Sequence, residues 1–282
     1  MPSSEKPHVV ERIFDQLWDP VSGSLSRTMI SMEDVQQAIV WCNSNKGTQL
    51  STRNPANFWK DVVRGSGGNK MWPQKIKDHR WTGTQRTGSG GNVFEFVPYE
   101  AGQLEPFPDR FGLHDDVTRH KVQSLSLPLA AKRLGRNDET YMIQVAVKLA
   151  VVETHFALNS PIEIEELSHL QVGIKLRQAE VDSLYIATYV DESGASKQMV
   201  ITAEAKKKGQ RIIEEQILQQ VRAAFQAMPK IELVAPIAMM SKNRGIYIAE
   251  FAAIKRTELA SFTVLELVSE GFYELIPSVP GI

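Results

Sequence analysis

Two short segments of the chain place acidic and basic side chains at a spacing that could do chemistry. They are Ala179-Glu180-Val181-Asp182 and Ile201-Thr202-Ala203-Glu204-Ala205-Lys206. Val181 to Val190 and Met199 to Ala205 read as strands separated by the turn Asp191-Glu192-Ser193-Gly194. A hairpin of this kind lays the start of one strand beside the end of the next. Glu204 and Lys206 are two apart, so in a strand they project from one face. Two carboxylates and one amine are therefore expected to converge at a sheet edge. Mg²⁺ prefers oxygen ligands and keeps several waters, so one or two carboxylates plus a phosphate oxygen suit it. Such an ion neutralises charge developing on phosphorus oxygens and acidifies a bound water. A neighbouring lysine can hold that water or stabilise the crowded phosphorus. This is a set that phosphodiester hydrolysis needs. The competing reading is an ordinary α/β domain whose Asp182 and Glu204 are solvated or paired with lysines.

The elements that must position these residues follow from periodicity. Asn137-Asp138 caps a helix with Tyr141, Val145, Leu149, Val152 and Phe156 on one face, and Glu153 sits on its margin. Gln171 to Gln178 forms a further strand before Val181. Gly209 to Met228 is a long helix with Ile212, Ile213, Ile217, Leu218, Val221 and Phe225 at its apolar positions. Glu232 to Met239 and Ile246 to Ala253 are strands joined by Lys242-Asn243-Arg244-Gly245. The order is αβββαβ plus one strand.

This arrangement, an Asp on one strand and Glu-x-Lys on the next between two helices, resembles the PD-(D/E)xK nuclease superfamily, which includes most type II restriction endonucleases. The resemblance spans roughly Asn137 to Ile254. It implies a restriction-endonuclease-like α/β (α+β) fold with Mg²⁺ as cofactor, Mn²⁺ substituting. It further implies that Asp182 and Glu204 are the metal-binding acids and Lys206 the catalytic lysine. The glutamate that many members carry on the preceding helix matches Glu153, and a glutamine on the following helix matches Gln216 or Gln219. One departure is that Val181, not proline, precedes Asp182. Glu180 ranks below Asp182 as a ligand, and Lys207 and Lys208 read as a solvated cluster with DNA contact as a second role.

Upstream, Ser31-Met32-Glu33-Asp34 has the form of a capping box, followed by Val35, Ala38, Ile39 and Cys42 at helical spacing. Asn54-Pro55 starts a second helix through Phe58, Trp59, Val62 and Val63 to the breaker Gly65-Ser66-Gly67-Gly68. A short third helix begins at Trp72-Pro73. Trp81 to Val97 reads as a hairpin around a glycine turn. Three helices and a hairpin are the order of a winged helix-turn-helix. Residues 1–30 read as a mixture with turns at Asp19-Pro20 and Ser22-Gly23, and Pro98 to Pro128 as a linker or long loop. Arg53, Lys60, Arg64, Lys70, Lys75, Lys77, Arg80 and Arg86 outnumber Asp61 and Asp78 along this stretch, the footprint of a surface that meets phosphates. Arg64, Lys70, Lys75, Lys77, Arg80 and Arg86 are the expected DNA-contact residues.

Composition narrows the classes. The chain has 282 residues with a formal net charge of −1, which weighs against a non-specific nucleic-acid coat protein. No apolar run reaches membrane-spanning length, and residues 1–6 lack a secretory apolar stretch, so a cytoplasmic protein is expected. A lone Cys42, on an apolar helix face, reads as core. The six histidines show no paired ligand spacing, and no Gly-x-Ser-x-Gly elbow occurs. The two Gly-Ser-Gly-Gly-Asn segments lack a Walker A ending and read as turns.

The expectation is a two-part protein. Residues 1–125 form a winged-helix-like DNA-recognition domain, and residues 126–282 form the catalytic domain of a type II-like restriction endonuclease. It would cut double-stranded DNA at a short site as a homodimer. The alternatives are a repair, junction-resolving or modification-dependent nuclease, or a regulator on the same fold that has lost catalysis.

Overall fold

The computed structural model describes residues 4–53, 55–64, 67–89, 91–176, 179–191, 193–260, 262 and 264–282. For residues 56, 57, 60, 61, 64 and 87–89 it describes the backbone alone. The Asn54 cap, Gly65-Ser66, and the side chains of Lys60, Asp61 and Arg64 therefore lie outside the described residues. The protein is mixed α and β, in two compact units, Met1–Asp109 and Arg110–Ile282.

The first unit contains α1 (Lys6–Leu17), β1 (Trp18–Asp19), β2 (Ser24–Leu25), β3 (Met29–Ser31) and α2 (Met32–Asn45). These are followed by α3 (Pro55–Arg64), α4 (Gly68–Met71), α5 (Gln74–Asp78), β4 (Trp81–Ser89) and β5 (Asn92–Pro98). The capping box at α2 is present: Ser31 accepts from the Asp34 N–H, and the Asp34 carboxylate accepts from the Ser31 N–H. Where the sequence reading leaves residues 1–30 unassigned, α1 buries Val9, Val10, Ile13, Phe14 and Leu17. The hairpin β4–β5 forms as expected, and β3 adds to its β5 side, giving the order β3-β5-β4. Phe94 stacks on Trp59 with ring centroids 3.7 Å apart, and Trp72 and Phe96 complete this aromatic core. Gly83 makes room for it, since a Cβ there would meet the Phe94 ring at 2.0 Å. Trp59 and Trp72 are buried and Trp81 is half-buried.

The second unit contains β6 (Thr118–Gln123), α6 (Leu129–Arg133), α7 (Glu139–Lys148), α8 (Val151–Leu158), β7 (Ile164–Leu176), β8 (Ala179–Val190) and β9 (Ser196–Lys206). Then come α9 (Glu214–Ala227), β10 (Leu233–Lys242), β11 (Gly245–Phe251), β12 (Ile254–Lys255) and β13 (Leu267–Ile276). One large mixed sheet runs β6-β13-β11-β10-β9-β8-β7, with β12 pairing β10. β7, β8 and β9 are antiparallel neighbours, whereas β9 and β10 are parallel and joined through α9.

Three expectations change here. The boundary between units falls at Asp109/Arg110, not at 125/126, and the segment read as a linker contains β6, which pairs in parallel with β13. Its residues, Thr118-Arg119-His120-Lys121-Val122-Gln123, show no apolar alternation because an edge strand exposes most of its side chains. The single helix expected from Asp138 to Phe156 is two helices bent by 63°, broken at Ala150, whose φ is +50°. The bend lets Met142 and Val145 of α7, Leu149 at its C-cap, and Val151, Val152 and Phe156 of α8 all reach one core. The helix expected from Gly209 begins only at Glu214.

Two apolar layers sandwich the sheet. Tyr185, Ala187, Met199, Ile201, Ala203 and Ala205 face α7 and α8, while Leu184, Val200 and Val234 pack with Val221, Ala224 and Phe225 of α9. Alternation along β8 and β9 thus decides which residues sit under α9. Among the described residues, no single helix is long and apolar enough to cross a membrane.

Candidate active site

The register of β8 and β9 pairs Ser183 with Ala203, which places Asp182 and Glu204 one step further along adjacent strands. Both belong to the α9 face of the sheet. An Asp182 carboxylate oxygen accepts the Ala205 backbone N–H at 2.8 Å. Glu204, 3% exposed, is held by both oxygens: one pairs with the Lys206 amine and the other accepts from the Gln220 side-chain amide. Lys206 is itself 4% exposed. The Gln220 amide also donates to the Glu180 carbonyl at 3.1 Å, tying α9 to the strand that carries Asp182.

The electrostatics are unbalanced. Burial first, and then the Glu204 charge, push the Asp182 carboxyl up to about 7; the Ala205 N–H and the Lys206 amine pull the other way. Two carboxylates share one lysine, so the cluster carries surplus negative charge when both acids are ionised. Some polar capacity is also unused. The Gln220 Oε1, Gln216 Oε1 and Thr202 Oγ1 atoms are buried with no partner among the described residues. Among those residues, no three of His, Cys, Asp and Glu converge to hold an ion on their own. A hard cation that keeps several waters needs only one or two carboxylates, and the Asp182–Glu204 pair with its unmatched charge fits that requirement.

Asp182, Glu204 and Lys206 thus come together. Glu153 lies on α8, which packs on the opposite sheet face, and its charge acts on Tyr185 there. Burial raises the Glu153 carboxyl, and its Oε2 has no partner among the described residues. Glu139, in the first turn of α7, is a preceding-helix carboxylate whose charge acts weakly on Asp182; it directly follows the Asp138 cap, and no periodicity marks it. On α9, Gln219 bonds Glu215 at 3.1 Å, and Gln220 is the residue that meets Glu204. Its position could have been found in the sequence, because it lies three after Ile217 and four before Ala224 on the sheet-facing stripe. Glu180, Lys207 and Lys208 are exposed.

The expected DNA-contact residues fare unevenly. Lys75 pairs with Asp15 at 2.8 Å, Arg86 pairs with Glu95, and Arg80 bonds the Gln103 carbonyl and lies over the Tyr99 ring. Lys70 is exposed and Lys77 half-buried, and neither has a charged partner among the described residues. The Arg64 side chain lies outside those described.

A second buried cluster sits further along the same sheet. His155 contacts the Tyr273 hydroxyl at 2.9 Å and Glu250 at 3.3 Å; Glu250 accepts from Ser160 at 2.7 Å and Ser269 at 2.6 Å. Asn159 donates to the Tyr273 hydroxyl at 2.7 Å. His155 and Glu250 are fully buried. No family model, curated protein or solved structure matches the chain.

Proposed function

We propose that the protein is a Mg²⁺-dependent endonuclease of the PD-(D/E)xK type, acting on double-stranded DNA. The observation that carries this reading is the convergence of Asp182, Glu204 and Lys206 at adjacent positions of β8 and β9, with more negative charge than Lys206 neutralises. Asp182 and Glu204 would hold the ion. When bound, Mg²⁺ supplies charge neutralisation at phosphorus and a more acidic water. Gln220 fixes the Glu204 carboxylate from the α9 side, so that one oxygen stays oriented whatever Lys206 does. Lys206, released from Glu204 as positive charge enters the site, would steady the attacking water or the charge on phosphorus.

The first unit would supply recognition as a winged-helix-like module. In support, α2 and α3 precede a hairpin, and β3 closes that hairpin on its β5 side. Lys70 and Lys77 would carry more of the phosphate contact than the ion-paired Lys75 and Arg86. Site-specific cutting of both strands by a homodimer, as in a type II restriction enzyme, is the form proposed.

The test is incubation of the full-length protein with unmethylated duplex DNA of phage length and Mg²⁺, beside Glu204→Ala and Lys206→Ala. Discrete fragments that both substitutions abolish are expected. Intact DNA with Mg²⁺ and with Mn²⁺, or cutting that survives both substitutions, would overturn the proposal. A smear in place of discrete fragments would refute site specificity.

A further inference from the structure

The end of the large sheet that carries the candidate site also carries a band of basic side chains. Strands β9, β10, β13 and β6 all finish there, and the β10–β11 turn lies among them. Register aligns Lys206 of β9 with Met240, Tyr247, Phe272 and Arg119 on the successive strands. Two residues further along, Lys242 is aligned with Gly245, Glu274 and Lys121. Met240, Tyr247 and Phe272 pack with Ile217 and Leu218 of α9, so by alternation both rows share the Glu204 face. Glu274 is their one acid. Lys207 and Lys208 follow β9 directly, and Arg244 occupies the turn.

These cations differ from those elsewhere on the sheet. Arg119, Lys121, Lys207, Lys208 and Arg244 are exposed, and Lys242 is half-buried. None has a charged partner among the described residues, although Arg119 lies over the Phe272 ring at 5.3 Å. At the opposite end of the sheet, Lys197 pairs with Asp191 at 2.6 Å and Arg256 with Glu232 at 3.7 Å.

The turn supplies an independent observation. Asn243 and Arg244 join Lys242 to Gly245 with φ of +51° and +68°. A two-residue hairpin turn with both φ positive favours Asn first and glycine second. Arg244 holds the second place, in a conformation that any Cβ makes unfavourable. An exposed arginine kept against its backbone preference, its guanidinium without a charged partner, points to a use for the side chain. Neighbouring strands lie about 4.8 Å apart, so the four steps from β9 to β6 span about 19 Å. That length matches about six base pairs of duplex at 3.4 Å each. Guanidinium and ammonium groups along it would meet backbone phosphates without reading bases.

We infer that Arg244, Lys242 and Lys121, with Lys207 and Lys208, grip the DNA backbone across the sheet end beside Glu204. The inference rests on the nuclease reading for the identity of the polyanion, and adds which residues of the second unit hold it.

The test is fluorescence anisotropy of a labelled duplex of about 30 base pairs with the full-length protein. A NaCl series is run in EDTA, so that the duplex stays intact. In wild type, log affinity should fall linearly with log salt concentration. Arg244→Gly should flatten that slope by about 0.9, and Lys121→Gln with Lys242→Gln by about 1.8. Arg244→Gly also relieves the turn, so its unfolding temperature should be no lower than wild type. Lys197→Gln, at the paired end, should leave the slope unchanged. Slopes equal to wild type in both basic-strip variants, or an equal loss in Lys197→Gln, would overturn the inference. So would a wild type that does not bind the duplex at low salt. Binding through these residues by a protein that leaves DNA intact with Mg²⁺ would defeat the nuclease reading alone. Cutting with unchanged slopes would defeat this inference alone.

Discussion

Around Glu250 every polar atom meets a partner, whereas around Asp182 like charges face each other and buried oxygens are left over. Both clusters are buried in the same sheet and both include a carboxylate. The Glu250 cluster accepts two serine hydroxyls and lies against His155, which in turn bonds Tyr273. Nothing in it calls for an outside ligand. The Asp182 cluster keeps surplus negative charge beside one lysine, at a cost in stability that a bound cation would offset. A closed network stabilises and specifies the fold, while an open one stores the capacity to bind.

The largest effect that would sharpen this contrast is on stability. Glu250→Ala removes the acceptor for Ser160 and Ser269 and the partner of His155, and should cost about 3–5 kcal/mol. Chemical denaturation would measure it. A loss below about 1 kcal/mol would mean that the network is not the structural element described.

Next comes activity. Lys206→Ala should lower the rate of DNA cleavage roughly 10²–10³-fold, the usual effect of removing one stabilising group from a transition state. A variant in the other cluster, Ser269→Ala, should leave the rate within about twofold of wild type, since that network touches no reacting group. Equal losses in the two variants would erase the distinction between the clusters.

The pH dependence of stability gives a third measure. In the folded protein the Asp182 carboxyl is raised to about 7, above its value in the unfolded chain. Between the two values the folded state binds more protons, so stability falls as pH rises from about 4 to about 7. In metal-free protein the fall should be on the order of 1–4 kcal/mol. Asp182→Asn should abolish this slope and be more stable than wild type at pH 7, while losing cleavage. Parallel stability–pH curves for the two proteins would refute the like-charge account.

The smallest effect concerns the helix that carries Glu139, whose charge acts weakly on Asp182. Asp138 caps α7 by accepting the Tyr141 N–H at 2.8 Å. Asp138→Ala should cost about 1 kcal/mol, read as a lower unfolding midpoint. If Glu139 shapes the site through α7, metal affinity should fall in parallel, and an unchanged affinity would restrict Asp138 to a local role.

Local signals made much of the molecule legible in the sequence. The Ser31–Asp34 box, the Asp138 cap, the hairpin from Trp81 to Val97 and the strands carrying Asp182 and Glu204 each depend on residues close in the chain. The convergence of Asp182, Glu204 and Lys206 was readable for the same reason, because one hairpin and one period-two spacing suffice to predict it. Strand β6 was not readable: its partner β13 lies some 150 residues later, and its polar edge residues carry no alternation. Nor was the bend at Ala150, which exists so that two helices can share one core. That bend lays α8, which carries Glu153, against the core that contains Tyr185, so the side of the sheet that Glu153 joins was decided by packing. The sequence determined that paired acids and a lysine would meet on two neighbouring strands. Only the tertiary structure decided what else faces them, because α9, and Gln220 with it, is brought onto Glu204 by a layer folding over the sheet.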